Sequence, residues 1–128
     1  MNIANEFERY LKQKSLKYKF LDNSKGISFS LNGLNYLFQT QEGDSNYFRI
    51  ILPNIDDNLD DSKRKIINEL NTKYKVSKII ELQEERIWIV ADAFVYSVEG
   101  IHELFSRMIN LLDEVINNYR GLTKKEED

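Results

Sequence analysis

Residues 26–39, Gly26-Ile27-Ser28-Phe29-Ser30-Leu31-Asn32-Gly33-Leu34-Asn35-Tyr36-Leu37-Phe38-Gln39, place two alternating runs on either side of one Asn-Gly pair. Asn-Gly tolerates positive φ at both central positions of a type I′ turn, whose twist matches that of the strands it joins. A two-residue loop at Asn32-Gly33 pairs Leu31 with Leu34, Phe29 with Tyr36 and Ile27 with Phe38. Six large apolar groups then share one face, and Ser28, Ser30, Asn35, Leu37 and Gln39 take the other. A slip of one residue would mix the two sets, so turn chemistry and side-chain period specify the same pairing independently.

Working outward, Tyr18 and Phe20 alternate with Lys17 and Lys19 before the turn-forming run Asp22, Asn23, Ser24, Lys25, Gly26, which predicts a short first strand. On the other side, Glu42 to Asn46 form a loop and Tyr47 to Leu52 a strand that stops before the single proline, Pro53. A helix over residues 2–14 is read from Ile3, Phe7, Tyr10 and Leu11. A second, from Asn58 to about Lys75, carries Leu59, Ile66, Ile67, Leu70 and Tyr74 on one side; Asn58 serves as N-cap, and Asp60 and Asp61 lie in the first turn. Two more strands follow, Val76 to Leu82 and Arg86 to Tyr96, joined around Gln83, Glu84 and Glu85. The last helix has the widest apolar stripe, Ile101 to Tyr119, with Ser97 as its cap and Tyr96 and Ile101 as a hydrophobic staple. Gly121 ends it.

The order is therefore α-β-β-β-β-α-β-β-α, an α+β fold with a twisted, largely antiparallel sheet of five to six strands flanked by three helices. No repeat or linker divides the 128 residues. Residues 1–121 are read as a single domain and residues 122–128 as a disordered C-terminal tail.

Composition narrows the chemistry. There is no cysteine, which excludes disulfides, thiol nucleophiles and thiolate metal sites, and no apolar run approaches the ~20 residues that span a bilayer. The first residues carry neither a basic nor an apolar leader segment, so the expectation is a cytoplasmic protein without membrane partners. His102 is the single histidine; Ser106 lies one turn on and Glu103 beside it, but a mid-helix serine lacks the rigid turn and oxyanion hole a nucleophile needs. Asp56, Asp57, Asn58, Asp60 and Asp61 open like a calcium loop, yet Asp61 and Ile67 stand where Gly and Glu are required. Capping and solubility explain that cluster. Asp22, Asp44, Asp57 and Asp92 have no spacing that singles out a catalytic pair. Gly26, Gly33, Gly43, Gly100 and Gly121 form no phosphate-cradling pattern. Basic groups at Lys12, Lys14, Lys17 and Lys19, and at Lys63, Arg64 and Lys65, have acidic neighbours in a chain of net charge −3, so no nucleic-acid partner is expected. No catalytic residue, cofactor or metal site is assigned.

What remains is surplus apolar surface. Leu37, Tyr47, Ile51, Trp88, Val90 and Phe94 have the opposite parity from the core-facing residues of their strands and need a second cover. The second helix or an edge bulge can account for it, or the surface serves self-association or partner binding. These six are the candidate partner-binding residues.

The element order and the patterns Gly26-Ile27-Ser28-Phe29, Gly33-Leu34-Asn35-Tyr36 and Tyr47-Phe48-Arg49-Ile50 resemble the YbjN-like proteins and the type III secretion chaperones whose fold they share, over residues 2–120. The resemblance implies a twisted antiparallel sheet flanked by three helices, often dimeric, without cofactor or catalysis, that holds another polypeptide or a regulatory partner. A fourth strand before the middle helix departs from the secretion chaperones and favours the YbjN-like branch. The expected function is thus a non-enzymatic, chaperone-like or regulatory protein-interaction module, a homodimer with a protein partner or client. A small carboxylate-based enzyme or a small-molecule-binding domain is the alternative.

Overall fold

A computed structural model describes residues 2–22, 26–56, 58–83 and 86–127. The elements are α1 (Ile3–Gln13), β1 (Tyr18–Phe20), β2 (Gly26–Leu31), β3 (Leu34–Gln41), β4 (Asp44–Leu52), α2 (Asp61–Lys73), β5 (Ser77–Glu81), β6 (Ile87–Phe94) and α3 (Ile101–Glu127). The strands form one six-stranded sheet in the order β1-β2-β3-β4-β6-β5, every neighbouring pair antiparallel. The expected α+β class and element order are thus the ones found.

The Asn32-Gly33 hairpin has the expected register, Leu31↔Leu34, Phe29↔Tyr36 and Ile27↔Phe38. Both turn residues have positive φ, 54° and 77°, as a type I′ turn demands. The next turn is tighter than the sequence suggested. Gly43, at φ 85°, lets the chain reverse over Glu42-Gly43, so β4 begins at Asp44 instead of Tyr47, and a bulge at Thr40/Gln41 absorbs the change of register.

All three helices pack on the sheet face bearing Ile27, Phe29, Tyr36, Phe38, Phe48, Ile50, Ile87, Ile89 and Ala91. Phe7 of α1 stacks on Phe38 at 4.2 Å, and Phe105 of α3 meets Phe7 edge-on at 4.8 Å and Phe48 at 5.3 Å. Such ring pairs contribute beyond their buried area. Ile66, Ile67 and Leu70 of α2 belong to the same core, where α2 packs against β5 and α3. In addition, the Asn71 side chain accepts from the Ile79 N–H at 2.7 Å and donates to the Ile79 carbonyl at 3.0 Å, closing the free edge of β5 as a pairing strand would.

Helix ends differ from the expectation in three places. α2 starts one turn fraction later, because Asp60, not Asn58, accepts from Lys63 N–H as N-cap. Ser97 accepts from Glu99 N–H and closes a turn ahead of α3; Gly100, at φ 73°, precedes the first helical residue, and Tyr96 is 78% exposed, so no staple forms. α3 continues through Gly121 to Glu127, over the segment expected to be a disordered tail, with Leu122 packed against the core. The turn residues Asn23, Ser24 and Lys25, the loop residues Glu84 and Glu85, and Asp57 and Asp128 lie outside the described residues. Among the described residues no helix is long and apolar enough to cross a membrane.

The two glycines at Gly33 and Gly121 should respond oppositely to alanine. No atom lies within 4 Å of an added Cβ at either, but Gly33 has φ +77° and Gly121 is helical. Gly33→Ala is expected to destabilise by about 1–2 kcal/mol and Gly121→Ala to stabilise by up to about 1 kcal/mol, read by urea unfolding. A Gly33→Ala protein as stable as the parent would contradict the turn assignment.

Candidate functional site

The side of the sheet opposite the helices is composed by register. One row of paired residues crosses all six strands: Lys19, Ser28, Leu37, Ile51, Val90 and Lys78. The adjacent row holds Gln39, Arg49 and Asp92, the one beyond it Tyr47 and Phe94, and on the opposite flank Trp88 pairs with Ile80. The six residues singled out from sequence parity therefore do share one surface, and no helix among the described residues covers it: α2 packs on the other face.

They are not equally open. Ile51 is fully buried although it stands outside the helix-covered core; it lies between its register partners Leu37 and Val90. The expectation that it needs a further cover is corrected, since Ile51 is already buried in the single chain. Leu37, Tyr47, Trp88 and Val90 are half-buried, and Phe94 is 61% exposed. Polar contacts hold the larger groups in place. Tyr47 OH donates to Asp92 at 2.9 Å, Arg49 Nε donates to Gln39 at 2.8 Å, the Arg49 guanidinium sits 6.0 Å from the Trp88 ring centre, and Trp88 Nε1 reaches Asn54 at 3.4 Å. Partial burial and the bond to Asp92 push the Tyr47 hydroxyl above its ordinary range, which keeps it a neutral donor.

Other residues weighed from the sequence are not brought together. The His102 nitrogens lie 3.2 Å from Gln13 Oε1 and 3.3 Å from Glu6 Oε2, and the Ser106 hydroxyl shares a 2.7 Å hydrogen bond with Tyr10 OH, so histidine and serine each tie α3 to α1. A groove of about 650 Å³ runs beside α3 and carries one carboxylate, Glu114; the cleft beside His102 carries Glu103. Asp44 caps its own turn through Asn46 N–H, and Asp92 is on the open sheet face. Among the described residues no group of three His, Asp or Glu side chains could hold a metal ion.

The acidic cluster before α2 contains a contact the sequence did not reveal. Asp56 accepts from Tyr119 OH at 2.7 Å and from Asn58 N–H at 3.1 Å, and pairs with the largely buried Lys63 at 3.1 Å. Burial alone would raise the Asp56 carboxyl; the bonds from Tyr119, Asn58 and Lys63 and the lysine charge outweigh it and hold it below the usual carboxylate range. Nothing in local spacing links residue 56 to residue 119. Lys63 thereby leaves the basic triplet, and Arg64 pairs with Asp61 and Glu81, each at 3.2 Å.

Comparison with known proteins follows the same architecture. The crystal structure of YbjN from E. coli, described as a candidate transcription regulator, superposes on 88% of this chain and 87% of its own with a TM-score of 0.65 at 7% identity. The fold is YbjN-like. At that identity the likeness is one of fold alone. No protein-family model and no curated protein sequence matches the chain. Within the YbjN-like frame the contrast between a helix-covered and an uncovered sheet face is the feature a function can use, and the Asp56 tie is structural.

That tie fixes a pH response. With a folded pKa below the unfolded value near 3.8, ionised Asp56 adds stability above that value, and the contribution is lost as pH falls through the folded one. Asp56→Asn is expected to lose about 1–3 kcal/mol at pH 7, with the deficit narrowing below about pH 4, by urea titration across pH. A deficit independent of pH would contradict it.

Proposed function

We propose that the chain is a non-enzymatic protein-interaction module, chaperone-like or regulatory, that holds a polypeptide partner on the uncovered sheet face. The supporting observation is the one-sided packing of the sheet. Three helices crowd one face, while Tyr47, Trp88, Val90, Leu37 and Phe94 stand on the other without helical cover among the described residues. Antiparallel sheets tolerate a wet face, but that face is then ordinarily polar. Here its centre is aliphatic and aromatic, and aromatic residues with an arginine among them are the composition enriched at protein interfaces. The scattered carboxylates and the use of His102 and Ser106 in helix packing favour this reading over acid–base or nucleophilic chemistry. A fold shared with a protein described as a candidate transcription regulator supports a regulatory role by analogy of fold.

Site-specific photo-crosslinking tests it. With benzoylphenylalanine placed in the full chain at Phe94, or at exposed Lys65 on α2 as the control, polypeptide adducts in cells are expected several-fold more often at Phe94. Adducts to a second copy of the chain satisfy the expectation as well as adducts to another protein. Equal yields at the two positions, or none at Phe94, would refute it.

A further inference from the structure

We infer that the segment received by the uncovered sheet face is acidic and amphipathic, with apolar side chains on the central strip and carboxylates on the flanking cations. This rests on the polypeptide-binding reading above and names the chemistry of the partner.

The charge on the face has the opposite sign from that of the molecule. The strands put Lys19, Arg49 and Lys78 there against Asp92 alone, in a chain whose net charge is −3. Asp92 accepts from Tyr47, Arg49 donates to Gln39 and Lys78 to the Asn71 carbonyl, and none of the three cations is in an ion pair among the described residues. Lysines on edge strands commonly guard against edge-to-edge pairing. That explanation does not reach Arg49, which is on β4 in the interior of the sheet; Lys78, on the β5 edge, also donates to the Asn71 carbonyl of α2 at 3.0 Å.

The distribution selects the occupant. Lys19 and Lys78 end the row that crosses the sheet, with Leu37, Ile51 and Val90 between them; six strands at about 4.8 Å spacing separate the two ends by about 24 Å. A helix of about 16 residues has that length. A second copy laid face to face would set lysines and Arg49 against cations of the same sign, with one aspartate per copy to offset them. A polyanion without apolar side chains, such as a nucleic acid backbone, would leave the aliphatic centre unmatched. An acidic segment with an apolar side satisfies both parts of the surface.

The full chain can be titrated with two synthetic 18-residue amphipathic peptides, one of leucine and glutamate and one of leucine and lysine, neither containing tryptophan. Trp88, the one tryptophan, lies on the face and reports occupancy through its emission. The leucine–glutamate peptide is expected to shift Trp88 emission to the blue with an affinity that falls as salt rises. The variant Lys19→Glu, at an exposed position, is expected to weaken it about threefold while retaining the parent's thermal melt. Equal or tighter binding of the leucine–lysine peptide, salt-independent binding, preference for a thymidine oligonucleotide, or response to neither peptide would overturn the inference. So would light scattering that shows the chain pairing with itself through this face. Crosslinks confined to Phe94 in a protein that prefers the basic peptide would overturn the acidic partner and leave polypeptide binding standing, so the two failures are separable.

Discussion

The ring cluster in which Phe7 stacks on Phe38 and Phe105 meets Phe7 and Phe48 edge-on is the contact on which the rest of the structure depends. It joins the first and last helices to the two central strands of the hairpin region, elements nearly a hundred residues apart in sequence. All four rings are fully buried. Truncating an aromatic ring at such a site costs about 3–5 kcal/mol, a large share of the 5–15 kcal/mol that holds a typical domain together. Because both helices bind the same side, and α2 joins them there, one face of the sheet is committed to the core and the other is left to its own side chains.

That asymmetry has a physical consequence for the exposed side. Ile51 is buried between its register partners Leu37 and Val90, and the larger side chains of the face make polar ties of their own: Tyr47 to Asp92, Arg49 to Gln39, Trp88 to Asn54. Those ties hold the larger side chains of the face in place without a second layer. Its cations, set around an apolar strip in an acidic molecule, give it a sign as well as a shape.

Much of this was legible in the sequence because the informative signals are local. Asn32-Gly33 and the alternation on either side of it determine the central hairpin and the face of every residue in it, and parity alone separates Trp88, Val90 and Phe94 from Ile87, Ile89 and Ala91. Period-two alternation does not say how many helices lie on each side; that α2 packs on the core face, against β5 and α3, is a tertiary fact with no local signal. Helix ends were missed where a neighbouring residue outcompeted the expected cap, as Asp60 did Asn58 and as the Ser97 turn did a helix start. The Asp56–Tyr119 bond and the Asn71 closure of β5 depend on tertiary proximity and leave no spacing to detect. The candidate interface residues were legible one by one, but their local positive charge was not, because Lys19 and Lys78 meet the apolar strip only through the register of six strands.

The central claim is that the isolated chain packs its helices on one sheet face and leaves the other to solvent. Hydroxyl-radical footprinting of the dilute protein, with oxidation quantified residue by residue by mass spectrometry, reads this directly. Strong modification is expected at Phe94 and intermediate modification at Tyr47 and Trp88, with Phe7, Phe38, Phe48 and Phe105 protected. Protection of Phe94 and Trp88 as complete as that of Phe38 would contradict it.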